Sequence, residues 1–225
     1  TDNTRAIIEK YKNKYPHVFK DVSPQKNLGM QKNWMHTLSS CTGKYIALCE
    51  GDDYWTDPNK LQKQVDFMQK YKDCALTYHP VEVIDQGGVN RTYPYDNPVH
   101  NASTIDVIKN HFIPTCSVLF LNKSLPINEF KILKKIGGLD VAIELLISLN
   151  GKIYLLDDKM ATYRQHPNGI TKTKRSINQY KKIIIYEIIF YKIFNKYTNF
   201  KYNKIVNQKI RQIFLYNIKL SDEFN

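Results

Sequence analysis

The sequence predicts an α/β protein with a mostly parallel sheet flanked by helices, followed by a helical extension. Three observations predict this class. Strand-like apolar runs alternate with helix-like amphipathic segments over residues 1–170, which is typical of α/β sheets. The run 44–49 is nearly all apolar, as expected of a strand buried on both faces, and acids follow it directly. Beyond Thr171 the composition shifts to Lys, Ile, Tyr, Phe and Asn.

The individual elements follow from hydrophobic periodicity and from start and stop signals. Helices are expected at residues 1–15, 29–40, 59–71, 103–110 and 140–149. Strands are expected at residues 18–19, 44–49, 75–85, 116–121, 153–156 and 161–163. The polar, turn-rich residues 86–102 are expected to form a loop over the binding site.

The composition shift predicts two regions, an α/β domain at 1–173 and a basic helical extension at 174–225. The extension combines lysines with large apolar residues at helical spacing, and helices are expected at 183–194 and 205–218. One interpretation is peripheral contact with an anionic membrane. The other is a packed helical cap whose lysines are solvated.

The charge balance is basic, with 33 Lys and Arg against 21 Asp and Glu and a net charge of +12. Such a protein attracts anions, and nucleic acids, lipid headgroups and nucleotide diphosphates all qualify. A nucleic-acid-binding module is not favoured, because no groove-reading motif is present. We therefore expect no nucleic acid partner.

The cysteines and the apolar runs bear on location. The four cysteines lack zinc-site spacing, and Cys49 and Cys116 lie in apolar runs, where buried thiols are expected. Free thiols suit a reducing compartment. No signal peptide is recognised, and no apolar run is long enough to span a bilayer. We expect a cytoplasmic protein, peripheral on the inner face of the cell membrane if the extension docks there.

The strongest candidate site is the acidic segment Glu50-Gly51-Asp52-Asp53. Ligands of open α/β sheets bind at the carboxyl ends of strands, and this segment directly follows a predicted buried strand. Carboxylate oxygens suit Mg²⁺ or Mn²⁺, which bind through one or two carboxylates together with substrate phosphates. Gly51 is expected to permit a tight turn. Taken alone, the segment is equally consistent with a surface turn, because Asp and Gly are common there.

The flanking residues favour the binding site. The acids are preceded by Thr42-Gly43-Lys44-Tyr45-Ile46-Ala47-Leu48-Cys49. They are followed by Tyr54-Trp55-Thr56-Asp57-Pro58 and then by Lys60-Leu61-Gln62-Lys63-Gln64. This stretch resembles the family 2 glycosyltransferases of the GT-A fold, a Rossmann-like fold of nucleotide-diphospho-sugar transferases. The similarity is greatest to bacterial members that build surface polysaccharides. It covers residues 1 to about 170 and is most specific around the acids.

The resemblance implies transfer of a sugar from a nucleotide-diphosphate donor to a glycan or lipid-linked acceptor, with Mn²⁺ or Mg²⁺ as cofactor. It implies that Asp53 ligates the metal, that Asp52 contacts the metal or the donor ribose, and that Glu50 faces the ribose. A second similar segment of the family, Asn-x-Gly followed by a basic residue and Asn, is matched by Asn27-Leu28-Gly29-Met30-Gln31-Lys32-Asn33. This match implies that Lys32 approaches the nucleotide or diphosphate. The alternative for Lys32 is a solvated helix lysine.

The acceptor side is expected in two places. Pro114-Thr115-Cys116-Ser117 resembles the stretch that lines the acceptor side of the family's cleft, which assigns Thr115 and Ser117 to acceptor binding. Trp55, beside the acidic segment, is assigned to the same role. The alternative for Ser117 is the plain start of a strand.

An inverting transfer needs one general base to deprotonate the acceptor hydroxyl. In the resembling family this base is a carboxylate at the start of a helix, and Asp140 fits best. The family carries Gly-Asp or Glu-Asp here, whereas this chain has Leu139 before the acid. The alternative is that Asp140 only caps its helix. Glu144, one turn later on the same face, is the second candidate.

Tyr163-Arg164-Gln165-His166 resembles the family's Tyr-Arg-x-His element. The resemblance implies that His166 assists the metal or the diphosphate and that Arg164 pairs with phosphate bidentately. The alternative is a structural histidine. No functional role is expected for the remaining histidines, His17, His36, His79, His100 and His111.

The family normally begins with a strand, a helix and a second strand that ends in an Asp-Asp-x-Ser-x-Asp segment. Thr1-Asp2-Asn3-Thr4 resembles the tail of that segment, so Asp2 is assigned to donor binding. We expect an N-terminally truncated domain that lacks this βαβ unit. The alternative function is therefore a catalytically inactive relative that acts as a binding or scaffold protein.

Overall fold

The computed structural model describes residues 3–85, 87–88, 90–94, 99–125, 131–167, 169 and 176–223. The chain divides into two compact units, Thr1–Cys41 and Thr42–Asn225. Both expected helices of the first unit are present, as α1 (Thr4–Lys14) and α2 (Met30–Ser39). Gly29 precedes α2 with a φ of +75°, a left-handed conformation that favours glycine.

The prediction of a short strand at residues 18–19 is wrong. The backbone amides of Val18 and Phe19 both donate to the carbonyl of Tyr15, which makes a turn after α1. Val18 is 80% exposed, and neither residue belongs to a strand. A two-residue apolar run carries too little periodicity to distinguish a strand from a turn.

The second unit combines strands and helices, as the α/β class requires. Its strands are β1 (Tyr45–Ala47), β2 (Tyr54–Trp55), β3 (Cys74–Tyr78), β4 (Val81–Ile84), β5 (Asn90–Tyr93), β6 (Leu119–Leu121), β7 (Lys152–Leu155) and β8 (Ala161–Arg164). Its α-helices are α3 (Lys60–Lys70), α4 (Thr104–Lys109), α5 (Leu139–Ile147), α6 (Ile177–Tyr197) and α7 (Asn203–Glu223).

The strands form two four-stranded sheets with the orders β1-β6-β3-β7 and β2-β8-β4-β5. One pair in each sheet is parallel, β3 with β7 and β4 with β8, and the other pairs are antiparallel. The sheets are therefore mixed rather than mostly parallel. Antiparallel neighbours need only a short connection, and β5 follows its partner β4 closely, within the region expected to be a loop.

The apolar run expected as one strand at 75–85 forms two strands in different sheets. β3 ends at Tyr78 and β4 begins at Val81, so His79 and Pro80 connect the two sheets. Proline has no amide hydrogen and cannot continue a ladder of backbone hydrogen bonds. The chain leaves the first sheet at this point and enters the second.

The strand expected at 116–121 begins only at Leu119. Residues Thr115–Ser117 form a 3₁₀ turn instead, in which the amide of Ser117 donates to the carbonyl of Pro114. β2, which the periodicity does not indicate, has two residues and pairs with β8. Both features lie beside the acidic segment and shape its surroundings.

Helix α5 is buried along almost its whole length, and its residues are nearly all apolar. A helix that is apolar on all sides is typical of a protein core. Asp140 and Val141 are its only partly exposed residues. The start of α5 is therefore the part of this helix that is accessible to a ligand.

The two helices expected in the extension are confirmed and are longer than expected. The N-terminus of α6 is closed by a capping box, in which Ser176 and Gln179 exchange side-chain and backbone hydrogen bonds. α6 and α7 belong to the same compact unit as both sheets. Within the described residues, no helix is both long enough and apolar enough to cross a bilayer.

Candidate active site

The acidic segment forms a closed turn directly after β1. The amide of Leu48 donates to Val118 and continues the pairing of β1, and the amide of Asp53 then donates to the carbonyl of Glu50 at 3.1 Å. Gly51 does not have a positive φ, so the turn does not require glycine for its backbone conformation. The position of a Cβ at Gly51 has no atom within 4 Å, which leaves open space beside the turn.

Strand β8 holds this turn in place. The amide of Arg164 donates to Oδ1 of Asp53 at 3.0 Å, and Nε of Arg164 donates to the carbonyl oxygen of Asp52. These two bonds connect residues that are more than one hundred positions apart in the sequence. The family-like elements around Asp53 and Arg164 are thus parts of one site.

His166 completes this side of the site. Its Nε2 lies 3.1 Å from Oδ2 of Asp52, and both side chains are partly exposed. Of the three residues expected to hold a metal, Asp52 and His166 are therefore in contact, and Asp53 follows Asp52 in the chain. The carboxylate oxygens of the two aspartates are of the type that suits Mn²⁺ or Mg²⁺. Among the described residues no group of three or more His, Cys, Asp or Glu side chains is arranged to hold a metal ion, so the metal site stays a prediction.

The electrostatics of the turn favour a cation. Burial, together with the charges of Asp53, Asp140 and Asp52, raises the pKa of Glu50 to about 7. The buried Oε2 of Glu50 has no hydrogen-bond partner among the described residues. Burial also raises the pKa of Asp53, opposed by the Arg164 amide and reinforced by Asp52. Several carboxylates share this site, and a positive ion would stabilise their charged forms.

The start of α5 lies within electrostatic range of this turn. Asp140 adds to the raised pKa of Glu50, which places the two carboxyl groups within electrostatic range of each other. Gly138 is the N-cap of α5, and Oδ1 of Asp140 accepts a hydrogen bond from the amide of Val141. Asp140 is therefore not the helix cap. The Asp140 side chain is partly exposed, at 34%.

Glu144 differs from Asp140 in its environment. Only 4% of its side chain is exposed, and burial raises its pKa well above the usual range. Its Oε1 has no hydrogen-bond partner among the described residues. Burial disfavours the charged form of this carboxyl group, so Glu144 is less suited than Asp140 to act as a base.

His111 lies close to both acids, Asp140 and Glu144, and the sequence did not indicate this proximity. Its Nε2 lies 3.9 Å from Oδ2 of Asp140 and 3.8 Å from Oε2 of Glu144. His111 follows α4 and meets α5 only through the fold. No local pattern in the sequence distinguishes it from the other histidines, which is why it was assigned no role.

Trp55 lies in β2, two residues after the acidic segment. Its Nε1 donates to the carbonyl of Cys116 at 3.0 Å, and the ring remains 37% exposed. Thr115 is partly exposed in the same 3₁₀ turn. Both positions remain available for acceptor contact.

Ser117 does not fit the acceptor role expected for it. It is fully buried, and its hydroxyl donates to the carbonyl of Pro114 at 2.6 Å. The serine stabilises the 3₁₀ turn from inside. Cys116 is buried as expected, whereas Cys49, expected to be buried, is exposed because β1 ends before it.

Two buried polar side chains, Lys60 and Gln64, connect Trp55 to the 3₁₀ turn. The ammonium of Lys60 lies 4.5 Å from the centre of the Trp55 ring and donates to Gln64 at 2.7 Å. Gln64 in turn donates to the carbonyl of Ser117 at 2.8 Å. Lys60 is 1% exposed, and this burial lowers its pKa to about 8. This connection between α3 and the 3₁₀ turn was not indicated by the sequence.

Two expected donor-binding residues belong to the first part of the chain, and these contacts do not test them. Asp2 is outside the described residues. Lys32 is an exposed residue of α2 in the first unit. Their roles stay predictions from the resemblance.

With the fold and the site in place, comparison with known proteins identifies the class. Residues 1–125 match the family described as Glycosyl transferase family 2. The chain belongs to this family. The GT-A class expected from the sequence is thereby confirmed, with the mixed sheet pairing described above.

Individual relatives support the assignment. An uncharacterized protein of Mycobacterium tuberculosis is 35% identical over 175 residues, which cover 76% of this chain and 49% of the relative. TuaG of Bacillus subtilis, whose name describes it as a glycosyltransferase of teichuronic acid biosynthesis, is 25% identical over 77% of this chain and 67% of its own length. The chain thus spans about half the length of the mycobacterial relative.

The fold is also similar to a solved structure. The crystal structure of S. aureus TarS 1-349 superposes with a TM-score of 0.60 at 17% identity, covering 85% of this chain and 53% of that one. At this identity the similarity concerns the fold. It agrees with the family match, which was obtained from the sequence.

Proposed function

We propose that this protein transfers a glycosyl group, with inversion, from a nucleotide-diphosphate sugar to a hydroxyl of a glycan or lipid-linked acceptor in surface polysaccharide synthesis. Family membership supports the transferase class. The name of TuaG, which refers to teichuronic acid biosynthesis, supports a polysaccharide pathway.

One observation carries the proposal. The acidic turn is bonded to β8 through Asp53 and Arg164, and it lies within electrostatic range of Asp140 at the start of α5. This supports the proposal, because groups suited to a charged donor lie within electrostatic range of a group suited to deprotonating an acceptor. A surface turn would need neither neighbour.

The donor side consists of the residues around β8. Asp52, Asp53 and His166 are the residues that would hold Mn²⁺ or Mg²⁺, and Glu50 would face the donor ribose. When bound, such an ion neutralises negative charge on a departing diphosphate. Arg164 lies at the same turn and can contribute its remaining N–H groups to phosphate oxygens. Asp2 and Lys32 retain the donor-binding roles that the resemblance implies.

The acceptor side uses Asp140 as general base. Oδ2 of Asp140 takes the proton from the acceptor hydroxyl as the oxygen forms its bond to the anomeric carbon. The bond from that carbon to the diphosphate breaks on the opposite face, and its electron pair leaves with the diphosphate, so that configuration inverts. The partly exposed Asp140 suits this role better than the buried Glu144. The exposed ring of Trp55 and Thr115 would contact the acceptor.

The test is release of nucleoside diphosphate from a panel of UDP-, GDP- and dTDP-sugars with a glycan acceptor mixture. Parallel reactions contain Mn²⁺, Mg²⁺ or EDTA. We expect metal-dependent release, and a fall of at least about a hundredfold in Asp53→Asn, because the variant loses a ligand of the ion that would neutralise the departing diphosphate. Asp66→Asn, at an exposed position on α3, is the matched control and keeps activity.

Two outcomes contradict the proposal. Equal turnover of Asp53→Asn and Asp66→Asn would remove the acidic turn from the mechanism. Binding of a nucleotide sugar without any release, by a folded protein with metal and acceptors present, would favour the inactive relative that acts as a binding protein.

A further inference from the structure

The outer face of α6 exposes large apolar side chains in a regular array. Ile185, Ile189 and Ile193 are spaced four residues apart and are 54%, 37% and 38% exposed. The opposite face carries the residues that pack inward, among them Phe190 and Phe194. The helix therefore has more apolar surface than its packing within this chain uses.

Lysines interleave with these isoleucines. Lys181, Lys182, Lys192 and Lys196 are all exposed. At about 100° per residue they share an arc of roughly 120° with the three isoleucines. We call these seven residues the basic–apolar face.

No acid lies on this face. The single acidic residue of α6 is Glu187, which points away from the arc and is partly buried, and burial raises its pKa. Over four helical turns, positive charge thus alternates with apolar surface and is not neutralised within the helix. A cap helix with a solvated outer face would need lysines but would not need exposed isoleucines beside each of them.

We propose that the basic–apolar face docks on an anionic lipid surface. Lysines at this spacing match the phosphates of lipid headgroups, and isoleucines between them reach the boundary of the acyl chains. A second copy of the chain is a poor match, because a two-fold contact would place the lysines of both copies against each other. This proposal goes beyond the transferase function and does not depend on it.

Docking through α6 also has a consequence for the acceptor. Ile183 on the inner side of α6 packs against Gly137, where an added Cβ would lie 2.8 Å from its Cγ2. Gly137 is three residues before Asp140. The lipid surface would thus lie about one helix diameter, ~10 Å, from the segment that leads to the base. This step rests on the proposed function, and it favours an acceptor carried on a membrane lipid.

The test is co-sedimentation of the full chain with vesicles, in the absence of donor and metal. Vesicles of phosphatidylcholine alone are compared with vesicles that contain phosphatidylglycerol as well. We expect binding to the anionic vesicles, weakening as salt is raised because surface charges are screened. Since no donor is present, failure here leaves the transferase proposal untouched, and loss of transferase activity leaves this result untouched.

Three variants locate the contact. The first changes the four lysines of the face to Gln, and the second changes its three isoleucines to Gln. We expect each to lower the partition coefficient at least about tenfold. The control removes four exposed lysines from other elements of the same unit, as Lys44→Gln, Lys70→Gln, Lys72→Gln and Lys123→Gln. It has the same net charge as the first variant and is expected to bind nearly as well as the unchanged chain.

Several results would overturn the proposal. Equal losses in the lysine variant and its control would mean that binding follows net charge alone. Unchanged binding in the isoleucine variant would exclude insertion of this face. Absence of binding to anionic vesicles, with the isoleucine variant instead altering the oligomeric state in sedimentation velocity, would assign the face to a protein contact. Circular dichroism verifies that all variants keep the helical content of the unchanged chain.

Discussion

The Nε2 of His111 lies 3.9 Å from Oδ2 of Asp140, although the two residues come from different elements. It is also 3.8 Å from Oε2 of Glu144. His111 therefore lies close both to the partly exposed Asp140, which we propose as the base, and to the buried Glu144. A polar group at this position can orient the Asp140 carboxylate and moderate its repulsion by Glu50.

His111→Gln is expected to lower kcat by up to about fivefold, because a partly exposed contact between an imidazole and a carboxylate contributes at most about 1 kcal/mol. The KM for the donor should change little. Asp140→Asn should cost much more, about 10²–10⁴-fold in kcat, as for loss of a general base. His100→Gln, an exposed histidine, is the control. A His111→Gln effect confined to donor KM would contradict this positioning role.

Glu144→Gln is expected to change how stability depends on pH. Burial raises the pKa of Glu144 well above its unfolded value of 4.5, so the folded state binds more protons than the unfolded state above that pH. Stability of the unchanged protein therefore falls as pH rises from about 4.5 toward the folded pKa. The Gln variant lacks this loss. Urea denaturation at several pH values should show its advantage growing with pH, and a constant difference would contradict the buried, protonated state.

Lys60→Met is expected to show the opposite pH dependence. Burial lowers the pKa of Lys60 from 10.5 to about 8, so between these pH values the folded state binds fewer protons than the unfolded state. The unchanged protein gains stability across this window, by up to about 3 kcal/mol, and Lys60→Met lacks the gain. Lys63→Met, at an exposed lysine of the same helix, is the control in denaturation at pH 7.5 to 10. Parallel curves for the two variants would argue against a buried ammonium beneath Trp55.

Gly137→Ala is expected to destabilise the protein by about 1–3 kcal/mol, because the added methyl group meets Ile183. Ile183→Ala in the same chain should recover part of this loss, since it removes the atoms that clash. The coupling free energy comes from a double-mutant cycle in urea. Gly51→Ala, with open space around its Cβ position, serves as control. Additive effects of the two changes would mean that α6 does not pack on this segment.

Several features of this protein were determined by local sequence. The helices at α1, α2, α3 and α5 follow from apolar residues at helical spacing, which is a property of neighbouring positions. The acidic segment was recognisable because the residues on either side of it carry the family pattern. The pattern also implied that Asp52 and His166 act at one site, and their side chains lie 3.1 Å apart.

The tertiary structure decided the rest. The break at Pro80, the strand β5 and the mixed pairing of the sheets depend on partners distant in sequence, which periodicity does not encode. The burial of Ser117 and of Lys60 likewise arises from elements that meet only in the fold. His111 became visible for the same reason.

The sequence by itself therefore determined which residues carry charge and where helices begin, because both depend on a few adjacent positions. The fold decided which charges are removed from water and which carboxyl groups become neighbours. Desolvation and carboxylate proximity raise the pKa values of Glu50 and Glu144, and both effects are consequences of contacts between distant segments.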